Sequence, residues 1–270
     1  MELRKRLSNV FYKSCLLASW LRHRLLQPRF PKIKITQTMS LGSNYGGKVF
    51  CPNDLRGTTV ISAGCGEDIS FDVEIARMFE LNVILIDPVP RSISHVNQVL
   101  ARIGEPSTSG VTPIAGKQEV NTYNLEGLKS SQLILIEKAL FNHVGRISLF
   151  PPLDSSHISH SFLDLHKTRS IIGYQELRVE CTTVKAIVEE FKITDLSILK
   201  LDIEGAQLEV LESMFADGIF PRQILVEIDE LHFPSLSSRR RARKCLELLA
   251  RNLYELIARE NKYDLSFVRR

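Results

Sequence analysis

The sequence predicts an α/β chain built on a doubly wound, mostly parallel sheet of Rossmann-like type, and three observations predict it. A β-branched run, Val60-Ile61-Ser62-Ala63, breaks into Gly64-Cys65-Gly66-Glu67-Asp68 and then into an amphipathic stretch with Ile69, Phe71, Val73, Ile75, Ala76 and Phe79. That is the pattern of strand, tight loop and helix. A second run, Val83-Ile84-Leu85-Ile86, ends in Asp87, 21 positions after Gly66. From Thr59 onward, strand and helix patterns alternate, as parallel βαβ units require.

In chain order, residues 9–26 come first, with apolar residues at helical spacing broken by Lys13, Arg22 and Arg24. The uninterrupted apolar stretch falls well short of the roughly 20 residues that span a bilayer, and no small-residue cleavage site follows it. A helix packed on the domain fits this pattern, and so does a basic amphipathic helix in peripheral contact with an anionic membrane. Pro28 and Pro31 end it, so residues 1–35 are expected to be an N-terminal helical extension and 36–270 the main domain. Strands are expected near 59–63, 82–87, 132–138, 197–202 and 223–229, and helices near 70–80, 91–103, 182–192 and 206–216. Residues 104–131 hold Gly104, Pro106, Gly110, Pro113 and Gly116 and read as an insertion or cap. Residues 145–181 are expected to add a hairpin at Arg146 to Phe150 and a strand at Leu177 to Cys181. A last helix over Arg239 to Asn252 precedes two short strands, Tyr254 to Arg259 and Leu265 to Val268, around the polar turn 260–263. They form an antiparallel C-terminal hairpin.

Bulk properties bound the class. A chain of 270 residues with 44% hydrophobic and 24% charged residues can bury one sizeable α/β core but not two large domains. Five scattered cysteines without a C-x-x-C pair suggest neither a disulfide framework nor a zinc site, which suits a reducing cytoplasm. The net charge of +4 lies largely in basic runs near both ends, including Arg239-Arg240-Arg241. Aromatics do not interleave with them as stacking platforms would require, so nucleic acid is not an expected partner.

The first loop and Asp87 carry the chemistry. The offset is the one at which a doubly wound sheet sets a carboxylate beside the ribose hydroxyls of a nucleoside cofactor. No Gly-Lys-Ser/Thr ending is present, and the dinucleotide pattern's third glycine is Asp68 or Ile69 here. Glu67 and Asp68 at the helix start would repel a pyrophosphate and tolerate a sulfonium or ammonium, so S-adenosyl-L-methionine fits better than NAD.

Several stretches together resemble the FkbM-type methyltransferases: Gly42 to Gly47, Ser62 to Asp72, Asp87 to Ile93, His157 to Ser161, Leu199 to Ala206 and Val226 to Glu230. The resemblance implies a class I methyltransferase domain that binds S-adenosylmethionine and commonly acts on hydroxyl oxygens of glycans or natural products. The C-terminal hairpin agrees, because that fold inserts an antiparallel strand where dinucleotide dehydrogenases generally do not. Ser62, Ala63, Gly64, Gly66, Asp87 and Pro88 are the expected cofactor-binding residues. Many class I members carry an acid where Ser62 stands, which leaves the methionine end of the cofactor to be held some other way.

For the acceptor, Asp202 and Glu204 are the candidate catalytic residues, since they follow an apolar strand and can orient a hydroxyl and take its proton. The competing role for Glu204 is a cap for the next helix. Glu227, Asp229 and His232 are expected to share the acceptor side, together with the polar run His157, Ser159, His160 and Ser161. That run lacks an obvious third ligand, so no metal is expected there. The expected function is O-methylation of a glycan or small natural product; a methyltransferase-like binding protein without catalysis and an NAD-dependent oxidoreductase are the alternatives.

Overall fold

The computed structural model describes residues 28–34, 36–53, 55, 59–108, 117–152, 160–162, 176–232 and 235–270. The helix expected over 9–26 lies outside these residues, as do His157 and Ser159. A short hairpin, β1 (Met39–Leu41) and β2 (Lys48–Phe50), opens the described fold. It follows residues 28–34, where Lys34 N donates to Leu256 O at 2.8 Å. The apolar runs then form β3 (Thr59–Ala63), β4 (Asn82–Ile86), β5 (Leu133–Ile136), β9 (Leu196–Leu201) and β10 (Gln223–Glu227), within a residue or two of the expected bounds. β4 and β9 each end one residue early, before Asp87 and Asp202, which line a cleft.

The main sheet has seven strands in the order β11, β12, β10, β9, β3, β4, β5, with β11 spanning Tyr254–Arg259 and β12 Asp264–Arg269. β12 pairs antiparallel with both β10 and β11, while the other neighbours run parallel. The expected terminal hairpin is therefore present, with β12 inserted between β10 and β11. Strand order turns at β3: the chain winds outward through β4 and β5 and returns to β3's other side with β9. Ligands in such sheets collect at the carboxyl ends beside this turning point.

Among the described residues, five helices cover the two faces. On one face α1 (Ser70–Phe79) and α2 (Pro90–Leu100) pack with Phe50, whose ring meets Phe71 edge-on at 5.9 Å and Phe79 at 5.7 Å. On the other lie α3 (Val184–Glu190), α4 (Gln207–Ala216) and α5 (Leu236–Arg251), which contribute Ile187, Leu211 and Leu249 to a second core. The helix expected from 182 begins two residues later because Thr183 caps it, its Oγ1 accepting from Ala186 N at 3.1 Å.

One topological expectation needs correction. The strand β7 (Gly145–Leu149) is not half of a local hairpin; it pairs antiparallel with β8 (Leu177–Thr182), which also pairs parallel with the two-residue β6 (Ala139–Leu140). These form a separate three-stranded sheet. A pairing across some thirty intervening residues has no local signature, so alternation alone could suggest the strand but not its partner. Among the described residues no helix is long and apolar enough to cross a membrane.

Candidate active site

The loop after β3 is built around two glycines and one buried acid. Gly64 has φ +81°, and a Cβ there would lie 1.7 Å from the backbone oxygen of Asp202. Its lack of a side chain therefore makes room for the residue that follows β9, and Gly64 also lines the cleft. Gly64 N donates to Ile86 O at 2.9 Å, which ties the loop to β4. Gly66, at φ +59°, turns the chain toward α1.

Asp87 holds this loop from beneath. Its Oδ2 accepts from Cys65 N at 2.9 Å and from Gly66 N at 3.0 Å, and its Oδ1 accepts from Val89 N at 2.9 Å. Burial pushes its pKa up, while these three N–H donors and the Ser92 hydroxyl hold it down; burial prevails. The carboxylate lines the cleft, but most of its acceptor capacity is already committed to backbone. Burial also pushes up the neighbouring Cys65 thiol, which makes it a packing residue and not a nucleophile.

Ser62 and Ala63 are fully buried and do not line the cleft. Direct cofactor contact expected of them is corrected by this placement: they stand one layer behind Gly64. Ser62 is paired in register with Lys200 on β9, and Asp72 of α1 lies against both, also fully buried. Burial raises the Asp72 pKa, opposed by the Lys200 ammonium and the Ser62 hydroxyl. Lys200 Nζ itself donates to Gly64 O at 3.1 Å.

The cleft encloses about 960 Å³ including its open mouth, and its two ends differ. One end holds Asp87 among Ile86, Pro88, Val89 and Ser92, with Leu140, Ile147 and Leu149 as apolar wall. The small sheet supplies part of this wall. The other end carries Asp202, Glu204, His160 and Tyr45. Tyr45 is aimed there by the β1–β2 turn, which is pinned to α1 by Ser43: its Oγ donates to Asp68 Oδ2 at 2.5 Å, and its N donates to Ser70 Oγ at 2.7 Å. At the cleft's rim Glu67 pairs with Arg91 at 2.6 Å and Lys117 at 3.7 Å, joining the loop to α2 and to the insertion.

Asp202 sits among charges. Burial alone would raise its pKa, but the ammoniums of Lys48, 3.6 Å away, and Lys200, with a hydrogen bond from Glu227, bring it below the usual carboxylate range. Lys48 is itself buried and reaches Asp264 at 2.5 Å. Glu227 titrates oppositely, pushed up to about 11 by burial and by the like charges of Asp202, Asp229 and Asp264. Its Oε1 lies 2.8 Å from His232 Nε2, and the His232 ring stacks on Tyr263 at 3.6 Å between centroids.

Glu204 does not cap the helix. α4 begins at Gln207 with Ala206 as a cap that makes no side-chain bond. Glu204 instead adopts φ +50°, unusual for a residue with a side chain, and lines the cleft. Its carbonyl accepts from Ser161 Oγ at 2.9 Å and Phe162 N at 3.1 Å, so Ser161 is a buried positioning group while His160 faces the cleft. Asp229 is also buried; its Oδ2 accepts from Gly205 N at 2.7 Å and secures the turn after Glu204. Tyr45 and Lys48 were not singled out from sequence. Lys48 is one lysine in a three-residue strand, and only its pairing with residues more than 150 positions away marks it.

A family model described as the methyltransferase FkbM domain matches residues 43–256, most of the chain. No curated protein and no solved structure matches it.

Proposed function

Because the chain belongs to the FkbM methyltransferase family, we propose that it transfers a methyl group from S-adenosylmethionine to a hydroxyl oxygen of a glycan or small natural product. The observation that carries this is the cleft at the turning point of the sheet, where the loop braced by Asp87, with apolar walls beside it, faces one space with the acids Asp202 and Glu204. When bound, the cofactor supplies an electrophilic methyl group on a sulfonium. Gly66, Asp87, Pro88, Val89 and Ser92 would hold its ribose and adenine, with Leu140, Ile147 and Leu149 packing on the base. The acids lining the cleft outnumber its bases, which suits a cationic sulfonium and opposes a pyrophosphate. That charge balance disfavours an NAD-dependent oxidoreductase. It also favours a neutral or cationic acceptor over a phosphorylated one.

Asp202 and Glu204 orient the acceptor hydroxyl and accept its proton. Asp202, kept ionised by Lys48 and Lys200, is suited to accept a hydrogen bond from the hydroxyl and fix its direction, and alignment contributes much of the rate in such displacements. Tyr45 offers an aromatic face at the same end. Calorimetry with S-adenosylhomocysteine and with NAD tests the cofactor, with binding expected for the first alone. A methyl-transfer screen on hydroxylated acceptors, with Asp202→Asn and Glu204→Gln, tests the rest. Each substitution is expected to lower turnover by about 100-fold or more with cofactor affinity little changed. Wild-type turnover in both would place the chemistry elsewhere.

A further inference from the structure

The geometry points to a divalent-cation site at the end of β10, formed by Glu227, Asp229 and His232 next to the acceptor end of the cleft. One ligand atom from each of these side chains lies within 4.8 Å of the other two, and Glu227 Oε1 and His232 Nε2 are 2.8 Å apart, near the roughly 3 Å that separates adjacent ligands about 2.1 Å from a six-coordinate ion. The convergence has a local cause. β10 ends at Glu227, a 3-10 turn over Asp229–Leu231 follows, and His232 closes that turn with its N donating to Asp229 O at 3.0 Å. The turn folds positions 227, 229 and 232 onto one side.

The surroundings orient the ligands as supporting groups around a metal do. Gly205 N fixes Asp229 through Oδ2. Tyr263 stacks on the His232 ring and sets its plane. Asp202 hydrogen-bonds Glu227 and itself lines the cleft, so an ion here would sit one side chain away from the acceptor. Two carboxylates and an imidazole suit a first-row transition ion such as Mn²⁺ better than Ca²⁺, which prefers an all-oxygen set. Three protein ligands leave coordination positions for water or an acceptor oxygen. The ion's part in methyl transfer rests on the proposed function, but its binding does not.

Binding is therefore read without cofactor or acceptor. The full chain is stripped with EDTA, dialysed and titrated with Mn²⁺, and the free ion is followed by its paramagnetic resonance signal. One saturable ion per chain is expected, with affinity reduced about tenfold or more in His232→Gln and in Glu227→Gln. His232 is partly exposed, so its variant is expected to stay folded, which circular dichroism verifies. A His143→Gln control, at a histidine outside the cluster, is expected to bind like wild type. Absence of saturable binding, or binding that neither cluster variant weakens, overturns the site while leaving the methyltransferase reading intact.

Discussion

Removing the carboxylate of Asp87 is expected to damage the fold before it damages the chemistry. From sequence this acid looked like a ribose ligand whose loss would leave the fold intact; the structure gives it three backbone N–H donors, from Cys65, Gly66 and Val89. Hydrogen bonds to a charged acceptor contribute about 1.5–3 kcal/mol each, and donors left buried without a partner cost a similar amount. Taking the low end for all three, and allowing about 1 kcal/mol for the relief of an unfavourable buried charge, Asp87→Ala should lose about 3–4 kcal/mol. For a chain of this size that corresponds to a fall in Tm of roughly 10 °C. Asp87→Asn keeps one oxygen, so it can serve Val89 or the Cys65 and Gly66 pair but not both, and it should fall between alanine and wild type. Urea denaturation at pH 7 measures the loss, and calorimetry with S-adenosylhomocysteine on the folded fraction measures the binding consequence. A stability for Asp87→Ala within about 1 kcal/mol of wild type would refute the loop-holding role, since it would mean the three N–H groups find other acceptors at no cost.

Three further outcomes are expected. Gly64→Ala should destabilise by more than about 3 kcal/mol or fail to fold, because its Cβ meets Asp202 O at 1.7 Å; Gly127→Ala, with φ +79° and nothing within 4 Å, should cost only the strain of about 1 kcal/mol, and equal losses in urea melts would contradict the packing account. Burial lowers the His95 pKa below 6.5, so its neutral form is the folded one and the stability it contributes is present above that value and lost as pH falls through it. Its Nε2 lies 3.0 Å from the Tyr123 hydroxyl, which accepts from Ile69 N, and His95→Gln should flatten the pH dependence of denaturation below about pH 6.5. Lys48→Met removes a buried ammonium between Asp202 and Asp264 and should cost about 3–5 kcal/mol near pH 7, with a smaller loss at pH 4, where the acids can take protons; a loss independent of pH would show that packing, not charge, is what Lys48 provides.

The sequence by itself determined the α/β class and the mostly parallel sheet with its terminal hairpin. The runs at Thr59–Ala63, Asn82–Ile86 and Leu196–Leu201 were legible because strands buried on both faces must be continuously apolar, and the polar residues at their ends mark where a cleft opens. The Gly64 to Asp68 loop and Asp87 were legible because their spacing is short and fixed by one βαβ unit. Only the tertiary structure decided what these residues do. Gly64 makes room for the carbonyl of Asp202 just after β9, and Asp87 braces its own loop. It also brought Lys48 and Tyr45 of the first hairpin to the acids of β9 and β10, and paired β7 with β8 across a long connection. The physical reason is range: periodicity and capping are set by near neighbours along the chain, whereas a buried charge's partner and a glycine's missing Cβ are settled by whatever distant segment packs against them.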